Sequence, residues 1–217
     1  MAKYLLLLIA YLLGSIPFSF LLGKLFKGQD IRKLGSGNMG GTNSFRVFGK
    51  PIGFAVSILD VLKSGIVVFL VRWYPQLFEG LDVFHPLLYG LAAVLGHVYP
   101  LWFRFKGGKG VASSAGVLLA YQPILALALF IVFFVIEYAT RYVSVASNVT
   151  LCVASLSAIV LHIFVAPDLW LVVISLILNL IVIIAHRANF QRLRNGTENR
   201  VKLFDKMDER RKKRLQP

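Results

Sequence analysis

Six apolar stretches, near residues 4–26, 51–71, 83–103, 111–140, 143–165 and 168–185, take up most of this 217-residue chain. A helix rises ~1.5 Å per residue, so about 20 apolar residues cover the ~30 Å hydrocarbon core of a bilayer. Stretches of that length, repeated along a chain that is 57% hydrophobic, predict an all-α polytopic integral membrane protein. The first stretch follows a lone Lys3. Its apolar core is too long for a signal peptide and no small-x-small cleavage site follows, so it reads as a true span. The single cysteine, Cys152, lies mid-stretch without a partner, which excludes a disulfide framework and a thiolate metal site.

Charge sets the expected topology. Of the net +14, residues 24–50 contribute +5, 104–112 contribute +3 and 186–217 contribute +7. Basic loops favour the cytoplasmic side, where they also meet anionic headgroups. All three regions reach one side only if residues 111–140 cross and return, and Gln122-Pro123 is the natural break, because proline interrupts the helical ladder. The expectation is seven transmembrane helices, N-terminus outside and C-terminus cytoplasmic. Residues 1–185 would form the seven-helix bundle with cytoplasmic loops 27–50 and 104–112, and 186–217 a basic cytoplasmic segment. The leg from Val111 to Tyr121 would be a short or half-depth helix. Glu79, Asp82 and Asp168 fall on the outer loops. Beyond 187, Arg and Lys alternate with Leu193, Val201, Leu203, Phe204 and Met207, which suits either a surface amphipathic helix or a disordered basic tail.

Three polar islands interrupt the apolar pattern. The first, Gly35-Ser36-Gly37-Asn38-Met39-Gly40-Gly41-Thr42-Asn43-Ser44-Phe45-Arg46, reads as an anion cradle: glycines let successive N–H groups converge, hydroxyls and amides donate, and Arg46 adds a bidentate charge. The second runs from Gly96-His97 through Pro100 to Lys106-Gly107-Gly108-Lys109-Gly110-Val111-Ala112-Ser113. A glycine-lysine turn here feeds a helix whose N-terminal N–H groups favour anions. The spacing of a Walker loop is missing, so nucleotide hydrolysis is not implied. Alone, Gly107–Gly110 reads as a plain basic cytoplasmic turn; on the same membrane face as the first island it becomes an anion site. The third island holds His186, Asn189 and Leu193, which share a face if the last helix continues, with Gly196 to end it.

Other polar residues read more plainly. His85 and His162 suit packing or interfacial roles, and Glu137 an interfacial one. Asp60 and Lys63, i and i+3 inside the second span, would neutralise one another, with Lys63 near a polar cavity.

Together the islands resemble the motifs of the bacterial membrane-integral glycerol-3-phosphate acyltransferases that use acyl-phosphate. The resemblance covers Ser36-Gly37-Asn38, Thr42-Asn43 and Arg46, then Gly96-His97, Pro100 and Phe105 to Val111, then His186, Asn189, Arg192, Leu193, Gly196 and Glu198. One departure is Gly41, where the family usually has alanine. The resemblance implies transfer of a fatty acyl group from acyl-phosphate to the sn-1 hydroxyl of glycerol 3-phosphate, giving lysophosphatidic acid and phosphate, at a site on the cytoplasmic face of the bacterial plasma membrane. Ser36, Asn38, Asn43 and His97 are the candidate catalytic residues. Gly37, Thr42, Arg46, Lys63, Lys106, Gly107, Gly108, Lys109, Gly110, Ser113, His186 and Asn189 are candidate substrate ligands. The first island with Lys106 and His186 would hold glycerol 3-phosphate, and Lys109 with the glycine turn would face the donor phosphate.

The general base is either His97 or the departing phosphate. No histidine has an aspartate five residues later, the pair of the soluble-type acyltransferases, so His97 and His186 are expected to position ligands. No base lies near Ser36 to make it a nucleophile. A transporter of a small phosphorylated anion is the main alternative, and an anionic-lipid-binding structural protein another. Alternating access needs a midplane site reachable from both sides, whereas all three islands share one face. No cofactor or metal is expected, since the islands lack a carboxylate or His/Cys cluster. The expected partners are the two substrates and membrane lipid, with no nucleic acid and no obligate protein partner.

Overall fold

The computed structural model describes residues 1–201, and its regular structure is entirely helical. The helices are α1 (Ala2–Gly14), α2 (Phe18–Lys27), α3 (Gly41–Phe48), α4 (Lys50–Trp73), α5 (Pro86–Val98), α6 (Val111–Tyr121), α7 (Pro123–Thr140), α8 (Val143–Phe164), α9 (Leu169–Ala185) and α10 (Arg187–Arg194). Five segments are long and apolar enough to cross a membrane: Ala2–Lys27, Lys50–Trp73, Pro86–Phe103, Pro123–Thr140 and Val143–Phe164. The pair α9 and α10, bent by 55°, makes a sixth if it is counted as one span, so the described residues hold five or six candidate spans where seven were expected. Lipid-facing flanks are plain on α7, where Ile131 is 67% and Val135 62% exposed without forming a polar surface. Tail residues Leu203, Phe204 and Met207, expected in a surface helix or a disordered segment, lie outside the described residues.

The break at Gln122-Pro123 is where the charge pattern put it, with α6 ending at Tyr121 and α7 starting at Pro123. A second break, not expected, divides the first span: Pro17 has no N–H to donate, and the chain between Gly14 and Phe18 leaves helical geometry. The carbonyl of Ile16 is instead taken by the Lys63 ammonium at 2.7 Å. Lys63 also pairs with Asp60 at 2.7 Å, and the two are 7% and 1% exposed. Lys63, expected to bind substrate, is therefore a strut whose charge is spent on a carboxylate and a helix break. Removing one partner of such a pair costs about 3–5 kcal/mol, because a buried charge is left behind.

Close packing of α6 along α4 sets the depth of the site. A Cβ on Gly116 would lie 2.1 Å from the carbonyl oxygen of Val61, so the two backbones touch. The Trp73 indole N–H at the end of α4 donates to the carbonyl of Ala120 at 2.7 Å, which levels the ends of the two helices. At the same end Tyr121 donates to Asp168 at 2.7 Å, Asp168 caps α9 by accepting from Leu171 N–H, and His85 stacks on Trp170. His162 accepts from the Asp168 N–H at 2.8 Å. Both histidines thus pack, as expected. Glu137, in the last turn of α7, is 6% exposed and so covered by protein.

From this end the eleven residues of α6 reach in by roughly 16 Å. The glycine-lysine turn lies at the inner end of this helix. Its backbone is covered by protein, with Gly110 packed against Val94, Val98 and Val182.

Candidate active site

The first island is folded around one side chain. Gly35 and Gly37 take positive φ, and Asn43, 2% exposed at the start of α3, fills the loop they form. Its amide nitrogen donates to the carbonyls of Leu34 and Asn38, each at 3.1 Å. Its oxygen accepts from the Ser36 N–H at 3.0 Å and stands 3.5 Å from Arg46 Nη1. Asn43, expected to donate to a reacting oxyanion, has its hydrogen-bonding capacity committed to shaping the loop. Upstream, Asp30 accepts from the backbone and guanidinium of Arg32, which hold its carboxyl at about 2. The guanidinium lies against Phe20 and Phe103.

The second island doubles back on the end of α5. Arg104 and Phe105 both take left-handed backbone (φ 51° and 59°), a costly geometry for residues with side chains. The reversal lets Gly107 N–H and Gly108 N–H bond to the carbonyls of Val98 and His97, both at 3.0 Å. These carbonyls would otherwise be unpaired at a helix end. Only glycine fits: a Cβ on Gly107 would lie 2.1 Å from the His97 carbonyl, and one on Gly108 2.0 Å from His97 Nε2.

The third island turns at His186, where the helix bends, so α10 presents a different face from that of an unbroken helix. Ala185, Ala188, Asn189 and Arg192 face inward in place of the expected His186, Asn189 and Leu193. Gly196 (φ 68°) ends the segment as expected, with Thr197 N–H bonded to the Arg192 carbonyl. Glu198 then folds back, accepting from Asn189 Nδ2 (2.6 Å), Arg192 Nε (2.7 Å) and Ser144 Oγ (3.0 Å). Burial pushes its carboxyl up, but these hydrogen bonds outweigh that and hold it below the usual range.

All three islands meet in one open cleft of about 660 Å³. Ser36, Gly37, Asn38 and Met39 form one wall, Trp102 to Arg104 with Lys106, Gly107 and Lys109 another, and α10 the third. Arg32, Arg104, Lys106, Lys109 and Arg192 give it five cationic side chains. Asn38 Nδ2, 3.5 Å from the Gly107 carbonyl, bridges the first two walls. Lys109 donates to Asn189 Oδ1 at 2.5 Å. Burial pushes its ammonium down to about 8, with Glu198 opposing and Arg192 and Arg46 adding to the shift.

Several expected residues lie around the cleft instead of in its lining. Thr42 and Arg46 are exposed on α3, and Ser113 is fully buried in the first turn of α6. Gly108 and Gly110 are buried backbone of the turn. His97, 6% exposed, stands behind the turn beside a small inner cavity that Lys63, Gly107 and Gly108 also line. His186 is 2% exposed; its Nδ1, 2.9 Å from the Val182 carbonyl, must carry the proton, since a carbonyl only accepts. Among the described residues no group of three His, Cys, Asp or Glu is placed to hold a metal ion.

A model of the glycerol-3-phosphate acyltransferase family matches residues 4–196. The chain belongs to that family. It is 51% identical over 195 residues to a glycerol-3-phosphate acyltransferase of Bacillus cereus strain G9842, covering 90% of this chain and 93% of that one. A Staphylococcus haemolyticus enzyme of the same name is 46% identical over 199 residues, covering 90% and 96%. The crystal structure of PlsY (YgiH), an integral membrane glycerol 3-phosphate acyltransferase, in its glycerol 3-phosphate form superposes with a TM-score of 0.84 at 37% identity, covering 95% of this chain and 99% of that one. Its lysophosphatidic acid form superposes with a TM-score of 0.80 at 36% identity, covering 92% and 95%.

For a glycerol-3-phosphate acyltransferase, a cleft lined by five cations is the expected setting for an anionic acceptor. Arg32 and Arg104 had no motif signal beyond lying in basic stretches. Arg192 recurs three residues after Asn189 and needed only the correct helix face. In this acyltransferase Gly41 lies against Ser57 of α4: a Cβ there would lie 2.1 Å from Ser57 Oγ, so an alanine would require that hydroxyl to turn away.

Proposed function

We propose that this acyltransferase moves a fatty acyl group from acyl-phosphate to the sn-1 hydroxyl of glycerol 3-phosphate, releasing lysophosphatidic acid and inorganic phosphate. The observation that carries the reading is the single cleft into which all three polar islands open, rich in cations and sunk into an apolar bundle. Two phosphates need cationic and N–H donors, and the acyl chain needs hydrocarbon.

The hydroxyl oxygen attacks the acyl carbonyl carbon, the bond from that carbon to the phosphate oxygen breaks, and the hydroxyl proton leaves with the phosphate. Acyl-phosphate is already activated, so alignment of the two substrates and donors for the carbonyl oxyanion supply the rate. Ser36, Asn38, Gly37 and Lys106 are assigned to glycerol 3-phosphate, and Lys109, Asn189 and the Gly107–Gly110 turn to the donor phosphate. His97 and His186 support these walls from behind. The N-terminus lies outside and the cleft faces the cytoplasm of the bacterial plasma membrane. The basic islands at one end of the bundle support this orientation, as does the Lys3–Asp82 ion pair (2.6 Å), which ties the N-terminus to one of the outer loops that carry Glu79, Asp82 and Asp168.

Purified protein given labelled glycerol 3-phosphate with palmitoyl-phosphate, palmitoyl-CoA or palmitoyl-acyl carrier protein should form lysophosphatidic acid only with the first. Turnover restricted to a thioester donor would refute the donor assignment. Uptake of glycerol 3-phosphate into proteoliposomes without conversion would refute the reaction. A labelled acyl-enzyme trapped without acceptor would refute direct attack.

A further inference from the structure

We infer that Asp60 is a positioning residue of the acyltransferase site, acting through His97 to hold the Gly107–Lys109 turn in its donor-binding shape. The inference rests on the donor assignment above. Asp60 lies on α4, 1% exposed, with no place in the cleft lining. One carboxylate oxygen, Oδ1, faces both Lys63 Nζ at 2.7 Å and His97 Nδ1 at 3.6 Å. Lys63 balances the carboxylate charge, so neutralisation does not require the histidine.

The geometry on the other side of the ring gives the histidine its purpose. His97 Nε2 faces Gly108 so closely that a Cβ there would lie 2.0 Å away, and the His97 carbonyl accepts the Gly108 N–H at 3.0 Å. Ring and backbone of one residue thus brace the turn, and Lys109, the next residue, enters the cleft and meets Asn189. Asp60 Oδ1 faces the ring from its Nδ1 side at 3.6 Å, within ion-pair distance. Displacing the ring moves the turn, and with it the Lys109 ammonium assigned to the donor phosphate. The first island is shaped by Asn43 and meets the turn only through Asn38 Nδ2, 3.5 Å from the Gly107 carbonyl, so the glycerol 3-phosphate wall is disturbed less than the donor wall.

A KM split tests this. Asp60→Asn alone strands the Lys63 charge, so the variant of choice is Asp60→Asn with Lys63→Met, which removes both charges. The expected result is a rise of about tenfold in KM for acyl-phosphate, with KM for glycerol 3-phosphate within about twofold of wild type. His97→Gln, which leaves the ion pair intact, should show the same donor-selective rise. Combining it with the double variant should add little, since the residues act in series. A purely structural pair would lower the yield of active enzyme and leave both KM values alone. Unchanged donor KM in His97→Gln, or effects that multiply in the combined variant, would overturn the inference. Wild-type protein that uses no acyl-phosphate would overturn the donor assignment instead.

Discussion

Lys109 gives the sharpest kinetic prediction. With its folded pKa at about 8, about nine-tenths of the free enzyme carries the ammonium at pH 7 and about one-tenth at pH 9. If the ammonium binds the donor phosphate, kcat/KM for acyl-phosphate should fall roughly tenfold over that interval, because kcat/KM titrates the free enzyme. The limb in kcat should lie higher, since a bound phosphate anion favours the charged amine. Substrate phosphates are already dianionic above pH ~7, their second pKa being about 6, and contribute nothing to the limb.

Unfolding is not a competing explanation. A lysine whose pKa is lowered from 10.5 on folding makes the folded state more stable as pH rises from about 8 toward 10.5, because there the unfolded chain binds the extra proton. Activity and the Lys109 contribution to stability therefore move in opposite directions. The assay is initial-rate kinetics from pH 6.5 to 9.5 in detergent, corrected for spontaneous acyl-phosphate hydrolysis. Lys109→Arg, always charged, should have lower activity and no limb near pH 8. A limb that survives in Lys109→Arg, or none in wild type, would refute the reasoning.

Glu198→Gln removes the anion that raises the Lys109 pKa, so the alkaline limb should shift to lower pH, read from the same profiles. Gly108→Ala should cost on the order of 10²-fold in kcat/KM, as the added Cβ must displace the His97 ring or the turn by about 1 Å; Gly28→Ala, with nothing within 4 Å of its Cβ, should leave the rate alone. Asn43→Ala should lower stability by about 2–3 kcal/mol through unpaired loop groups and raise KM for glycerol 3-phosphate, checked by thermal denaturation beside kinetics. Asp168→Asn, which weakens the Tyr121 bond and the α9 cap, should cost about 1–2 kcal/mol while both KM values hold, since its cluster lies at the far end of α6.

How far the residues foretell the site depends on what kind of information each contact needs. Local rules were sufficient at Gln122-Pro123 and at Gly196, where proline and glycine act on their own backbone. The same proline rule applied at Pro17, but an unbroken apolar run masks it, and the repair comes from Lys63, 46 residues away in sequence. Asp60 and His97 are 37 residues apart, and no spacing rule reports that two neighbouring helices bring them together. Asn43 illustrates a different limit: an amide at a loop edge is equally suited to bind a ligand or to brace the loop, and only the direction of the side chain decides. The inward face of α10 depended on a bend at His186 that removes the helical register on which the i, i+3 argument stood.

These cases share a physical cause. Within a bilayer, each interruption of a helix leaves carbonyls or N–H groups that water cannot satisfy. Here the Ile16 carbonyl is met by Lys63, those of His97 and Val98 by the returning glycine amides, and that of Arg192 by Thr197. The glycines of the second island are the residues small enough to make the return, and one of them, Gly107, lines the cleft. The polarity needed to bind phosphate and the polarity needed to end α5 therefore come from the same segment. It follows that substitutions at Gly107 or Gly108 should lower folding yield and donor affinity together, whereas changes at Lys106, which bonds to no repaired carbonyl through its side chain, should alter affinity alone.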